Sequence, residues 1–70
     1  MSSIVKVTEV IAQSTKGFDD AVRNAVKEAS KSIRGIRSVW IDNFKCEVQN
    51  DRIVEYRVNA KISFVVEGHK

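Results

Sequence analysis

The chain holds a single cysteine, Cys46, a single histidine, His69, and no proline. One thiol excludes an internal disulfide. One cysteine, one histidine and no CxxC pair cannot supply the ligand set of a structural zinc. The scarcity of histidine also removes the usual activating base. Ser14, Thr15, Ser30, Ser32 and Ser38 have no histidine partner, since His69 falls in the terminal tail, so a hydroxyl nucleophile has nothing to take its proton. There are 3 glycines, all isolated, so no phosphate-cradling loop can be built. No apolar run approaches the roughly 18 residues of a membrane span. Charged residues interrupt the apolar runs near the N-terminus, so no signal peptide is read there. A cytoplasmic location is expected, which suits a free thiol. An enzyme is not expected.

What remains is a chain of 70 residues, 43% hydrophobic and 30% charged, read as one domain over 1–70. A chain this short buries only about 60% of the surface its unfolded form exposes, so its own core is marginal. With disulfide and metal excluded, self-association is the remedy left. Lys and Arg number 12 against 9 Asp and Glu, a net charge of +3. The two signs are interspersed along the whole chain. Nucleic-acid binders concentrate positive charge on one face, so neither a nucleic-acid nor a membrane partner is expected.

Local pattern divides the chain into four elements. Ile4 to Ala12 is rich in Val and Ile and reads as a strand with imperfect alternation. Gln13 to Gly17 is a polar connection. Phe18, Ala21, Val22, Ala25, Val26, Ala29 and Ile33 form one apolar stripe at helical spacing, predicting a helix from Phe18 to about Arg34. Asp19 and Asp20 suit its first turn, Lys31 and Arg34 its last, and Gly35 a left-handed C′ position. Ile36 to Val48 reads as a long strand with a phase change: Val39 and Ile41 have one parity, Phe44, Cys46 and Val48 the other. One extra residue near Asp42-Asn43, a β-bulge, returns all five to one face. After a turn at Gln49 to Asp51, Arg52 to Glu67 alternates cleanly, with Val54, Tyr56, Val58, Ala60, Ile62, Phe64 and Val66 on one side.

The expected fold is α+β with β-α-β-β order. A helical crossover and a short turn place the third strand between the others, giving a three-stranded antiparallel sheet of order 1-3-2 with the helix packed on one face. The opposite face carries Ser38, Trp40, Arg57, Asn59 and Lys61 and has nothing of the chain's own to cover it. A sheet with exposed edges risks uncontrolled pairing unless the chain closes into a symmetric oligomer.

These elements, in this order and at these lengths, resemble the dodecin family from Val5 to Glu67. The stretches that carry the resemblance are Phe18-Asp19-Asp20-Ala21-Val22 opening the helix, Ala29-Ser30-Lys31-Ser32-Ile33-Arg34-Gly35-Ile36-Arg37 closing it, and Val54-Glu55-Tyr56-Arg57-Val58-Asn59-Ala60-Lys61-Ile62-Ser63-Phe64. The resemblance implies a hollow shell of twelve copies of the chain that stores flavins, riboflavin or its mononucleotide FMN, two per pocket between neighbouring subunits. Some bacterial members hold coenzyme A through basic residues. It further implies a stacking Trp immediately after Ile36-Arg37 and a Gln after the aromatic residue of the third strand.

At both positions the chain departs from that pattern: the Trp position is Ser38 and the Gln position is Arg57. Trp40 follows two residues later on the same strand face, displaced by roughly 7 Å. It fits either a displaced stacking platform or an anchor between subunits. Arg57 offers donors only, suited to ring carbonyls, a phosphate or a carboxylate. It fits equally an ion pair with Glu55, Glu47 or a neighbouring subunit's carboxylate. Lys45, where flavin-binding relatives carry a basic residue, adds a second cation. The expected pocket residues are therefore Arg37, Ser38, Trp40, Lys45 and Arg57. Flavin affinity is expected to be weakened, and the alternative is a dodecin-shaped shell without flavin that is ion-binding or structural. Glu55 and Glu67 are candidates for a channel at a symmetry axis, although no metal ligand set is assigned. Asp19 and Asp20 are explained by the helix start, and Cys46 by packing as a small buried hydrophobe.

Overall fold

The computed structural model describes residues 4–66, so Glu67 and His69 lie outside the described residues. Its elements are β1 (Ile4–Ser14), α1 (Phe18–Ala29), β2 (Ile36–Gln49) and β3 (Arg52–Val66). They form one antiparallel sheet of order β1-β3-β2. The expected β-α-β-β architecture is what the chain adopts. Among the described residues, no helix is long and apolar enough to cross a membrane.

The clean alternation of β3 organises the core. Val58, Ala60 and Ile62 are buried against Ala21 and Ala25 of α1. Two alanines on the inward stripe let the helix approach the sheet closely, where a longer side chain would hold it off. The helix lies over β1 and β3. Phe18 fastens its first turn, meeting Phe44 edge-on at 5.0 Å and Tyr56 at 5.1 Å. Such pairs contribute about 0.5–1.5 kcal/mol each beyond the area they bury.

Two boundaries differ from the sequence reading. β1 continues through Gln13 and Ser14, which pair with Arg57 and Tyr56. Their polarity suggested a loop, but Ser14 is buried and saturated. Its hydroxyl donates to Asp20 Oδ2 at 2.6 Å and accepts the Lys16 and Gly17 N–H groups at 2.8 and 3.4 Å. This bonding does the work of a side-chain cap, which Gly17 itself cannot provide. The helix, expected to reach Arg34, ends at Ala29. The Ser30 hydroxyl bonds the Lys27 carbonyl at 2.8 Å, the local competition that serines offer a helix backbone. The chain then winds on through tighter bonds, Lys31 N–H to Glu28 O and Ser32 N–H to Ala29 O, which bring Ile33 to a half-buried position.

Gly35 has the positive φ expected of it, 76°. Its place is at the entry to β2, however, and not at the helix C′ position. Its carbonyl accepts the Val65 N–H at 3.0 Å, and a Cβ there would stand 3.1 Å from the Val65 oxygen. The β2–β3 hairpin turns on Asn50 and Asp51, both with positive φ (52° and 64°), a conformation that Asn and Asp tolerate best after Gly. The expected bulge near Asp42-Asn43 is present between Ile41 and Asn43. Two further shifts, between Ile36 and Ser38 and between Glu47 and Val48, had no signature in the pattern. The last makes Val48 pair with Ile53 instead of Val54. Cys46, expected to be buried, is half-buried.

Candidate functional site

Because α1 takes the face bearing Val58, Ala60 and Ile62, the odd-numbered residues of β3 from Glu55 to Val65 are directed to the opposite, uncovered face. Register then decides what gathers there. Ser38 stands opposite Ser63, Trp40 opposite Lys61, Asn43 opposite Asn59, Lys45 opposite Arg57 and Glu47 opposite Glu55. From β1 come Val5, Val7, Glu9, Ile11 and Gln13. The imperfect alternation of β1 is thereby explained: Val5, Val7 and Ile11 are apolar, exposed and on the uncovered face. Trp40, at 58% exposure, adds the largest apolar surface of that face.

Four of the five predicted pocket residues form two groups. Ser38 and Trp40 are neighbours on β2, and Lys45 faces Arg57 across the ladder. The groups are roughly 13 Å apart, four ladder steps at about 3.3 Å each. Arg37 is the extra residue in the shift between Ile36 and Ser38; it is exposed and has no ladder partner. These residues therefore supply one wall of a site.

Each group has its own chemistry. The Ser38 and Ser63 hydroxyls are 2.6 Å apart, filling with a short hydrogen bond the position at which a stacking Trp was implied. Lys61, beside Trp40, is held between Asp42 at 3.4 Å and Glu9 at 3.9 Å. An open depression of about 410 Å³ runs past Glu9, Ile11, Asp42 and Asn59. Arg57 pairs with Glu55 at 3.6 Å, one of the pairings left open by its sequence, and Lys45 pairs with Glu47 at 3.3 Å.

Sequence reasoning missed Gln13. Its side-chain oxygen accepts the Arg57 Nε–H at 2.9 Å, fixing the guanidinium plane and leaving the Gln13 amide N–H₂ as a donor. A glutamine thus does stand at this end of the face, on β1 instead of β3. Only the β1–β3 register, invisible while residue 13 was read as loop, could have found it. Among the described residues, no group of three or more His, Cys, Asp or Glu side chains could hold a metal ion.

A model of the family described as Dodecin matches residues 4–67. The chain belongs to the dodecin family. Solved dodecins agree with the assignment. That of Streptomyces coelicolor is 30% identical, with a TM-score of 0.90 over 96% of both chains. A point mutant of the Thermus thermophilus dodecin is 20% identical, with a TM-score of 0.92 over 97% of this chain and all of that one. The calcium dodecin of Mycobacterium tuberculosis, described as calcium-chelating, is 25% identical at a TM-score of 0.81 over 97% of each chain. Comparison with curated protein sequences finds no significant match. Membership in this family marks the chain as a small oligomeric shell protein.

Proposed function

We propose that this dodecin is the subunit of a hollow cytoplasmic homododecamer that stores a small cofactor of the flavin type between subunits, without turning it over. The observation that carries the reading is the uncovered sheet face. It sets an exposed Trp40 and the apolar side chains of Val5, Val7 and Ile11 on the same surface as the donors Lys45, Arg57 and Gln13. Apolar walls with a few convergent polar groups are the usual make-up of a cofactor site. Since one chain supplies one wall, the ligand lies where two such faces meet. The cationic pair suits a phosphate, so FMN is favoured over riboflavin and coenzyme A fits the same donors. With Ser38 and Arg57 where relatives carry Trp and Gln, flavin is held weakly.

The likeness to a calcium-chelating dodecin favours one second reading, an ion-binding shell; since the described residues of one chain gather no metal-ligating group, its carboxylates are expected to come from more than one copy. Purification without added cofactor tests both, with light scattering for size and absorbance for colour. The expected result is a closed oligomer, colourless or pale, that takes up FMN on titration. A folded particle of single-chain mass would end the shell reading. An oligomer that takes up calcium but neither FMN nor coenzyme A would replace storage with ion binding.

A further inference from the structure

The charges on the β2–β3 arm are arranged in a way that a single chain does not explain. Lys45 stands directly opposite Arg57, and Glu47 directly opposite Glu55. Like charges directly across a ladder repel, and a sequence free to choose would alternate them. The relief within the chain runs along each strand instead, Lys45 to Glu47 at 3.3 Å and Arg57 to Glu55 at 3.6 Å. Between residues 45–47 and 55–57 the register is regular, so the four residues stand at the corners of a rectangle on the uncovered face. One end is doubly positive and the other doubly negative. All four side chains keep solvent access, and such exposed pairs hold their geometry weakly.

A surface of this kind is complementary to itself in one orientation. Consider a two-fold axis parallel to the sheet, at right angles to the strands and passing between the two ends of the rectangle. It lays Lys45 over the second copy's Glu47 and Arg57 over the second copy's Glu55, and the reciprocal pairs follow by symmetry. An axis along the strands lays Lys45 over the second copy's Arg57 and sets like charge on like. The pattern therefore selects one docking geometry and rejects the other, which is how interfacial charge confers specificity.

We infer that the rectangle Lys45, Glu47, Glu55 and Arg57 is a two-fold contact between copies of this chain, face to face with strands antiparallel, and that it sets the orientation in which subunits of the shell meet. The inference rests on the homo-oligomer reading. An anionic ligand and the second copy's carboxylates are alternative occupants of Lys45 and Arg57, so the contact belongs to the unloaded assembly.

The test uses ligand-free full-length protein. Lys45→Glu with Arg57→Glu makes the rectangle wholly acidic, and Glu47→Lys with Glu55→Lys makes it wholly basic. Each variant alone is expected to run as a smaller species than the unmodified protein, and an equimolar mixture to recover the original size. Circular dichroism checks that each is folded. Where a one-sign variant loses its fold, the quadruple exchange decides, because it preserves the charge balance. That variant is expected to assemble with itself but not to exchange subunits with unmodified protein, since Lys would then face Lys. Full-sized assembly of either folded one-sign variant alone overturns the contact while leaving the shell reading intact, and so does free exchange by the quadruple variant. An unmodified protein that is monomeric removes both.

Discussion

The Ser38 and Ser63 side chains share a 2.6 Å hydrogen bond across the uncovered face, and Ser63 is only 6% exposed. The pair joins β2 to β3 where the ladder has just passed the irregularity at Arg37. Ser38→Ala strands the Ser63 hydroxyl without its partner, which costs about 1–3 kcal/mol for a buried group. Ser38→Ala with Ser63→Ala removes both groups and is expected to recover much of that loss. Urea unfolding of the two single variants and the double variant forms the cycle that checks it. Additive losses in the double variant would show that the bond is not coupled to stability.

Gly35 is required at the entry to β2 for two reasons: its positive φ and the 3.1 Å approach of a would-be Cβ to the Val65 carbonyl. Val65 is backbone in a paired strand and has little room to yield. Gly35→Ala is expected to destabilise the fold by roughly 1 kcal/mol or more, from strain in a conformation incompatible with Ala. The chemical-denaturation midpoint reads the change directly. Stability equal to that of the unmodified chain would show that the loop relaxes around the methyl group.

The helix is more sensitive at Ala25, which is buried against the sheet, than at Val22 and Val26 of the same stripe, which are half-buried. Ala25→Asp places a carboxylate in the helix–sheet interface with no cation to meet it, a loss of several kcal/mol that a small core cannot absorb. Val26→Asp, which the stripe alone marks as equally damaging, is expected to be milder because its carboxylate can reach solvent. Expression and circular dichroism of the two variants rank them. An ordering with Val26→Asp the worse would mean that a subunit contact covers that side of the helix.

Much of this fold is legible in the sequence because β3 is central. From Glu55 to Phe64 this central strand alternates strictly, with Val58, Ala60 and Ile62 turned to the helix, and its partners inherit the register. The bulge at Asp42 is visible because the two apolar residues before it, Val39 and Ile41, and the three after it, Phe44, Cys46 and Val48, have opposite parity. The shift at Arg37 is not, having no apolar run before it to reverse. The helix end escaped for a related reason: Ile33 keeps the helical period although the serines before it have loosened the backbone into turns. The site was legible by residue but not by arrangement. Parity, corrected for the bulge at Asp42, places Ser38, Trp40, Lys45 and Arg57 on one face, whereas the opposition of Lys45 to Arg57 and the Gln13–Arg57 bond need the register across strands.

The flavin site provides the sharpest test. Without an aromatic ring at residue 38, each outer stacking contact of a flavin pair sacrifices about 0.5–1.5 kcal/mol beyond area burial. Arg57 presents only donors, and its Nε–H already occupies the Gln13 oxygen, so the flavin ring N–H goes unmet. In a dry site that adds about 1–3 kcal/mol. Together these losses predict binding weaker by roughly a hundredfold or more than in a dodecin carrying Trp and Gln at these positions, at about 1.4 kcal/mol per decade. Ser38→Trp with Arg57→Gln is expected to recover the affinity, because it restores the ring, supplies an acceptor and frees the Gln13 oxygen as a second one. Ser63→Ala belongs in the same variant, since Ser38→Trp otherwise leaves the Ser63 hydroxyl unpaired. Quenching of flavin fluorescence on titration measures the outcome. Tight quenching by the unmodified protein would refute weak binding. If Trp40→Ala then abolished that quenching, Trp40 would be the stacking platform, with the ligand displaced by two residues along β2.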